Sequence, residues 1–162
     1  MEPLIRWITS TPVSTFVLTY GWVWPISETL HFCGLTLMAG TVGMFDLRVL
    51  GIGRGIAPSS LHRLLRYGVA GFAISVTTGL LFIAGTPDQY FYNLAFKVKV
   101  VCLLLTGINV ILFYSLEFKR VVTLGPDDDA PLAAKCMAGV SLLLLACVMC
   151  AGRMLTFFRP PY

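Results

Sequence analysis

Four long apolar stretches dominate the chain, each bounded by charged, Gly- or Pro-containing segments. The first runs from about Pro25 to Leu50 and carries no charge between Glu28 and Asp46. A second covers about Leu61 to Ala84 and is uncharged after Arg66. The third, about Leu94 to Leu116, has Lys97 and Lys99 near its start, and the fourth, about Leu132 to Phe157, is uncharged from Cys136 to Gly152. A bilayer core of about 30 Å needs about 20 apolar residues of helix, and each window meets that requirement. Barrel strands would alternate polar and apolar positions, which these runs do not, so helix is the expected state throughout.

The connections carry breakers. Gly51, Gly53 and Gly55, followed by Pro58-Ser59-Ser60, separate spans one and two, with Ser59 or Ser60 expected as a helix N-cap. Thr86-Pro87-Asp88 opens the second loop, and Gly125-Pro126 with Asp127, Asp128 and Asp129 forms the third. The acidic run is placed to favour the N-terminus of span four. Loops this short put consecutive helices side by side and antiparallel. Residues 1–24 are punctuated by Pro3 and Pro12 and gather Trp7, Tyr20, Trp22 and Trp24, a pattern of short helices at the membrane interface. The expected architecture is an all-α integral membrane four-helix bundle: an N-terminal interfacial segment, 1–24, followed by a four-transmembrane-helix domain, 25–162.

Composition agrees with this reading. The chain is 57% hydrophobic and 12% charged, against about 25% charged for soluble domains. Its net charge of +4 comes from scattered basic residues flanking apolar runs, which points to membrane topology and not to nucleic acid. Residues 1–20 lack the basic-then-apolar order of a signal peptide, so the N-terminus is expected to stay attached. All five cysteines lie within apolar runs, where small apolar packing is their expected role. Arg48, Arg54, Arg63, Arg66, Lys119, Arg120 and Lys135 fall on the face of loops one and three. Arg6, Lys97, Lys99, Arg153 and Arg159 fall on the other. Seven against five predicts loops one and three inside a bacterial inner membrane and both termini on the periplasmic side.

Candidate chemistry follows from polar residues inside apolar spans, which are costly there. Span one holds Glu28, His31, Asp46 and Arg48. Spacings of three and four put Glu28, His31, Leu35, Met38, Val42 and Phe45 on one stripe. His31 reads as a haem or metal ligand or a proton relay, or as a packing histidine bonded to Glu28 or a backbone carbonyl. His62, beside Arg63 and Arg66 at the opposite membrane face, reads as an interfacial histidine. Lys97, Lys99 and Arg153 share the half of the bundle that holds His31. They either snorkel to headgroups or turn inward toward Glu28 or haem propionates. Met149 or Met154 is a candidate second axial ligand, or simply packing. The segments Ala39 to Gly43 and Gly68 to Gly71 are small-residue faces suited to close helix approach.

The run Trp24-Pro25-Ile26-Ser27-Glu28-Thr29-Leu30-His31, the run Asp46-Leu47-Arg48-Val49-Leu50-Gly51, Ala95-Phe96-Lys97-Val98-Lys99 and Gly152-Arg153 together resemble the DUF6644 group of small bacterial membrane proteins over nearly the whole chain. A looser similarity is to the haem-binding HemJ type of protoporphyrinogen oxidase, and to CopD-like and cytochrome b561-like membrane proteins. That similarity implies haem b at His31, with Lys97 or Lys99 nearby. The chain departs from cytochrome b561 proteins in lacking paired histidines on facing helices, and shows Phe113-Tyr114-Ser115 late in span three. The resulting expectation is a haem b-binding protein of electron transfer or redox chemistry near the outer face of the membrane, with a membrane or periplasmic redox partner. The alternatives are a cofactor-free accessory or structural subunit of a larger membrane complex, or a small metal transporter using His31, Cys33 and Met38; the expected assembly is a homo-oligomer or a place in such a complex.

Overall fold

The computed structural model describes residues 1–158; Arg159, one of the basic residues counted above, lies outside them. The described residues are helical almost throughout. Two short helices, α1 (Glu2–Thr9) and α2 (Pro12–Thr19), precede the first long helix, α3 (Val23–Leu50). A one-turn helix, α4 (Pro58–His62), leads into α5 (Leu65–Gly85), and another, α6 (Pro87–Phe91), leads into α7 (Leu94–Leu116). Then come α8 (Phe118–Val122) and α9 (Leu132–Met154). Four segments are long and apolar enough to cross a bilayer: α3, α4 with α5, α7 and α9. The protein is a multi-pass all-α membrane bundle. Each 23-residue helix extends about 35 Å, enough for the hydrocarbon core.

Small residues decide how the helices meet. On α3 the buried positions Ser27, Gly34, Thr41 and Arg48 recur every seven residues, and on α5 the buried face is Gly68, Gly71, Ser75 and Thr78. A Cβ added to Gly34 would lie 2.6 Å from the carbonyl oxygen of Gly71, and one on Gly71 2.5 Å from that of Gly34. The Gly68–Gly71 face is therefore a close-approach surface, as its spacing predicts. Gly43 is not: its nearest neighbour is 4.0 Å away. Helix α9 offers its own row of buried small residues, Ala134, Ala138, Ser141 and Ala151. It packs on both α7 and α3, whereas α5 and α7 make at most marginal contact. The bundle is thus two helix pairs, α3 with α5 and α7 with α9, joined through α3 and α9. Helix α7 is the most peripheral, with Ala95 its one buried residue among those described.

Each end is tied by a buried polar side chain. At the end carrying loops one and three, Arg48 is 1% exposed. Its Nε donates to the carbonyl of Ile56, and its Nη2 to those of Gly125 (3.2 Å) and Asp128 (3.3 Å). One guanidinium thus binds both loops, where irregular backbone at membrane depth needs donors. Beneath it pack Phe45, Val49, Leu61, Val121, Ala130, Ala134 and Ala138. Asp129 bridges the same loops by pairing with Arg54 at 3.0 Å and Lys135 at 2.8 Å. Gly51, at φ 104°, stops α3 in the left-handed conformation, and the amide of Ile52 reaches back to the carbonyl of Leu47. At the other end Asn93, also 1% exposed, caps α7 through the amide of Ala95 and donates to the carbonyl of Leu155 beyond α9.

One local expectation is corrected. Neither Ser59 nor Ser60 caps a helix: α4 begins with Ala57 at the cap and Pro58 at its first position. The fixed φ of proline starts the turn, and the proline has no amide hydrogen to leave unpaired. Arg48, counted among the charges on the face of loops one and three, stands at that end and also bonds three loop carbonyls.

Gly34→Leu forces α3 and α5 apart and should lower stability by about 1–3 kcal/mol or more. Gly107→Leu, where an added Cβ meets nothing within 4 Å, should not; unfolding in detergent compares them. The Lys135 ammonium hydrogen-bonded to Asp129, with Arg54 beside it, holds the Asp129 carboxyl below the usual 3.8. A depressed carboxyl stabilises the fold above its unfolded value and ceases to do so as pH falls through the folded value. Proteolysis at residues 123–131 should therefore accelerate below about pH 4, and Asp129→Asn should remove that dependence.

Candidate functional site

His31 and Thr78 form the polar centre of the half of the bundle that holds the termini. Both face the α3–α5 seam created by Gly34 and Gly71. His31 Nδ1 lies 2.8 Å from Thr78 Oγ1. The threonine hydroxyl has one hydrogen, and the carbonyl of Ile74, 2.8 Å away, accepts it. With its hydrogen on that carbonyl, Thr78 accepts from His31, an arrangement that assigns the ring hydrogen to Nδ1 and a lone pair to Nε2. No hydrogen-bond partner for Nε2 occurs among the described residues. The ring stands edge-on to Phe82, with centroids 5.6 Å apart, and Ser75 Oγ donates to the His31 carbonyl at 3.4 Å.

The expected neighbours separate into two groups. Lys99 is half-buried, and its Nζ lies 3.6 Å from where a Cβ of Gly152 would stand, so it turns toward α9. It is also the charge that acts on His31. Lys97, two positions away on the same helix, is exposed. Glu28 is exposed as well and makes no hydrogen bond among the described residues. The partner of His31 is Thr78 on the neighbouring helix, because residues 28 and 31 stand about 60° apart around α3 and only the latter faces α5. Arg153 is exposed, and Met149 and Met154 are 44% and 47% exposed, not enclosed with the ring. Among the described residues no group of three His, Cys, Asp or Glu side chains gathers.

His62 belongs to a different cluster at the other end. Its Nε2 lies 3.1 Å from the hydroxyl of Tyr114, and its ring packs on Phe118 at 4.7 Å. The residue expected to be an interfacial histidine thus joins α4 to α7 and α8. Tyr114, noted as standing late in span three, is what holds it.

Sequence reasoning missed Thr78, Phe82 and Asn93. Thr78 had a signal: it continues the small-residue row of Gly68, Gly71 and Ser75 and so shares the face that meets α3.

The chain belongs to a family of unknown function, DUF6644, whose pattern matches residues 4–158. No curated protein and no solved structure matches it.

The tautomer is directly testable. Nitrogen-15 spectra of the protein labelled at histidine should show His31 protonated at Nδ1 across neutral pH. Thr78→Val should abolish that preference while leaving His62 unchanged.

Proposed function

We propose that the protein is a small haem b-binding membrane protein of electron transfer or redox chemistry, with His31 as axial ligand. The observation that carries this reading is the His31–Thr78 hydrogen bond. Ligating histidines hold their other ring nitrogen to a fixed acceptor, which sets tautomer and ring orientation. Here Nδ1–H is held, Nε2 is free to ligate, and Phe82 limits ring rotation. When bound, the haem would supply a one-electron couple whose potential answers to its axial ligand and burial. Lys99, turned into the bundle, would neutralise a propionate, with Lys97 and Arg153 exposed at the same end for the other. Met149 and Met154 are both turned to the surface of α9, so the proposal takes one protein ligand to the iron.

The orientation proposed with it places loops one and three in the cytoplasm and the termini in the periplasm of a bacterial inner membrane. Arg54, Arg63, Arg66, Lys119 and Arg120 are exposed at the loop end, whereas Lys99 at the other end is turned inward. A redox partner would then meet the terminal end, from the membrane or the periplasm. One observation favours a second reading, a cofactor-free subunit of a larger complex: α7 leaves almost its whole apolar surface uncovered, with Leu104 64% and Ile111 66% exposed. The soft-metal alternative gains nothing, since Cys33 is exposed and Met38 belongs to a separate cavity.

Protein purified from membranes should show a Soret band that His31→Ala abolishes. Thr78→Val should weaken haem retention on the order of ten- to a hundredfold. A colourless wild-type protein that co-purifies with a stoichiometric partner would establish the subunit reading instead.

A further inference from the structure

Asp46 takes no part in the chemistry at His31. Fifteen residues of α3 separate them, about 22 Å along the axis, which places Asp46 toward the loop end. It lines a cavity of about 360 Å³ bounded by α3, α5, α7 and α9. The walls are mostly apolar, formed by residues such as Phe45, Leu65, Phe72, Leu103 and Leu145. The Asp46 side chain is buried, 7% exposed as a residue, and its Oδ2 has no hydrogen-bond partner.

The neighbouring donors are committed elsewhere. The Thr106 hydroxyl donates to the carbonyl of Cys102 at 2.8 Å, and the Asn109 amide to that of Met137 at 3.1 Å. Tyr114 shares its hydrogen bond with His62. Ser141 is within reach of the carboxyl but serves one oxygen at most. Arg48, two residues on, gives Nε and Nη2 to loop carbonyls and leaves Nη1 without a partner, and no cation pairs with Asp46 among the described residues. One oxygen of the carboxyl, Oδ2, therefore lacks a donor, and the group lacks a countercharge, at a depth where each is costly.

We infer that this cavity is a binding site for a compact lipophilic amine, an apolar body bearing one cationic N–H group that pairs with Asp46. Charge selects the class. A neutral alcohol would satisfy the oxygen but leave the charge unpaired, and a hydrocarbon would do neither. Size selects the body, because the cavity lies at the small end of ligand pockets, which run from about 300 to 1,000 Å³. Access is lateral. Helices α5 and α7 barely touch, and the lining residues Val69, Phe72 and Val110 are 68%, 45% and 44% exposed on either side of that cleft. A membrane-partitioned amine enters there without crossing the tied loop end. The inference stands independently of haem at His31.

Calorimetric titration of the purified full-length protein with rimantadine, a cage-shaped primary amine, tests it, with 1-adamantanemethanol as the neutral analogue. Rimantadine should bind saturably at one site per chain and raise the melting temperature, and the alcohol should bind at least tenfold more weakly. Asp46→Asn, which keeps the side-chain shape, should weaken rimantadine ten- to a hundredfold, on the order expected for losing a charged hydrogen bond. Gly107→Phe adds bulk from a lining position with open space before it. It should block binding while melting unchanged without ligand. Absence of saturable binding, equal binding of the alcohol, or unaltered binding to Asp46→Asn would each overturn the assignment.

Discussion

The contact between the backbones of Gly34 and Gly71 governs the rest of the bundle. Helices in lipid gain nothing from hiding apolar surface from one another, so they associate where small residues let backbones approach and polar groups meet. At this crossing each glycine faces the other's carbonyl with no room for a Cβ. Thr41 lies over Gly68 on one side of it, and His31 reaches Thr78 on the other. A 2.8 Å hydrogen bond between side chains 47 residues apart is a consequence of that proximity. Helix α3 is committed to α5 along most of its length and meets α9 with a different face. Helix α7 then packs mainly on α9, with Phe113 reaching Phe45 of α3, and a cleft opens between α5 and α7. The histidine's partner and the cavity's mouth both follow from one close approach.

The Asp-Leu-Arg-x-x-Gly segment shows how such a fold divides labour within one helical turn and a half. Asp46 faces the cavity and Arg48 the loops, while Leu47 is 38% exposed on the outer surface. Gly51 ends the helix at a φ that other residues rarely adopt. Arg48 satisfies three carbonyls of two loops, and a lysine, with no fork of donors, would not replace it. Asn93 does the equivalent at the opposite end with a single amide. Between these clamps the helices are held mainly by small-residue contact, so loss of either would loosen an end before it loosened the middle.

The spans were legible because a bilayer imposes a length on apolar runs that no other environment demands. Their limits shift by a few residues: α3 starts at Val23, ahead of Pro25, because a proline in the first turn removes only an amide that has no acceptor. His31 was legible as a polar residue where one is costly. Its partner was not. Spacing along one helix suggested Glu28, but which faces of two helices meet is decided by packing, and packing chose Thr78. Lys97 and Lys99 were indistinguishable in sequence, yet two positions on a helix point to opposite sides, and only Lys99 turns inward. Met149 and Met154 satisfied the chemistry of a ligand without the burial. Asp46 was visible as a charged residue within the first span, but its burial and the cavity beside it depend on a packing in which α5 and α7 fail to touch, which no local pattern records.

The two polar centres differ in what can reach them. His31 lies in the half that holds the termini, among exposed Lys97 and Arg153 and an inward-turned Lys99, so a charged or water-borne species approaching that end meets cations first. Asp46 lies in the other half, beneath loops sealed by Arg48 and the Asp129 ion pairs, and its opening faces lipid between α5 and α7. Between them along α3 lies the Gly34–Gly71 crossing, its glycines in backbone contact. Anionic groups suit the first centre and cationic ones the second. The cations beside the first centre come from α7 and α9, whereas the carboxyl of the second stands on α3, with the small buried residues Gly34 and Thr41 between it and His31.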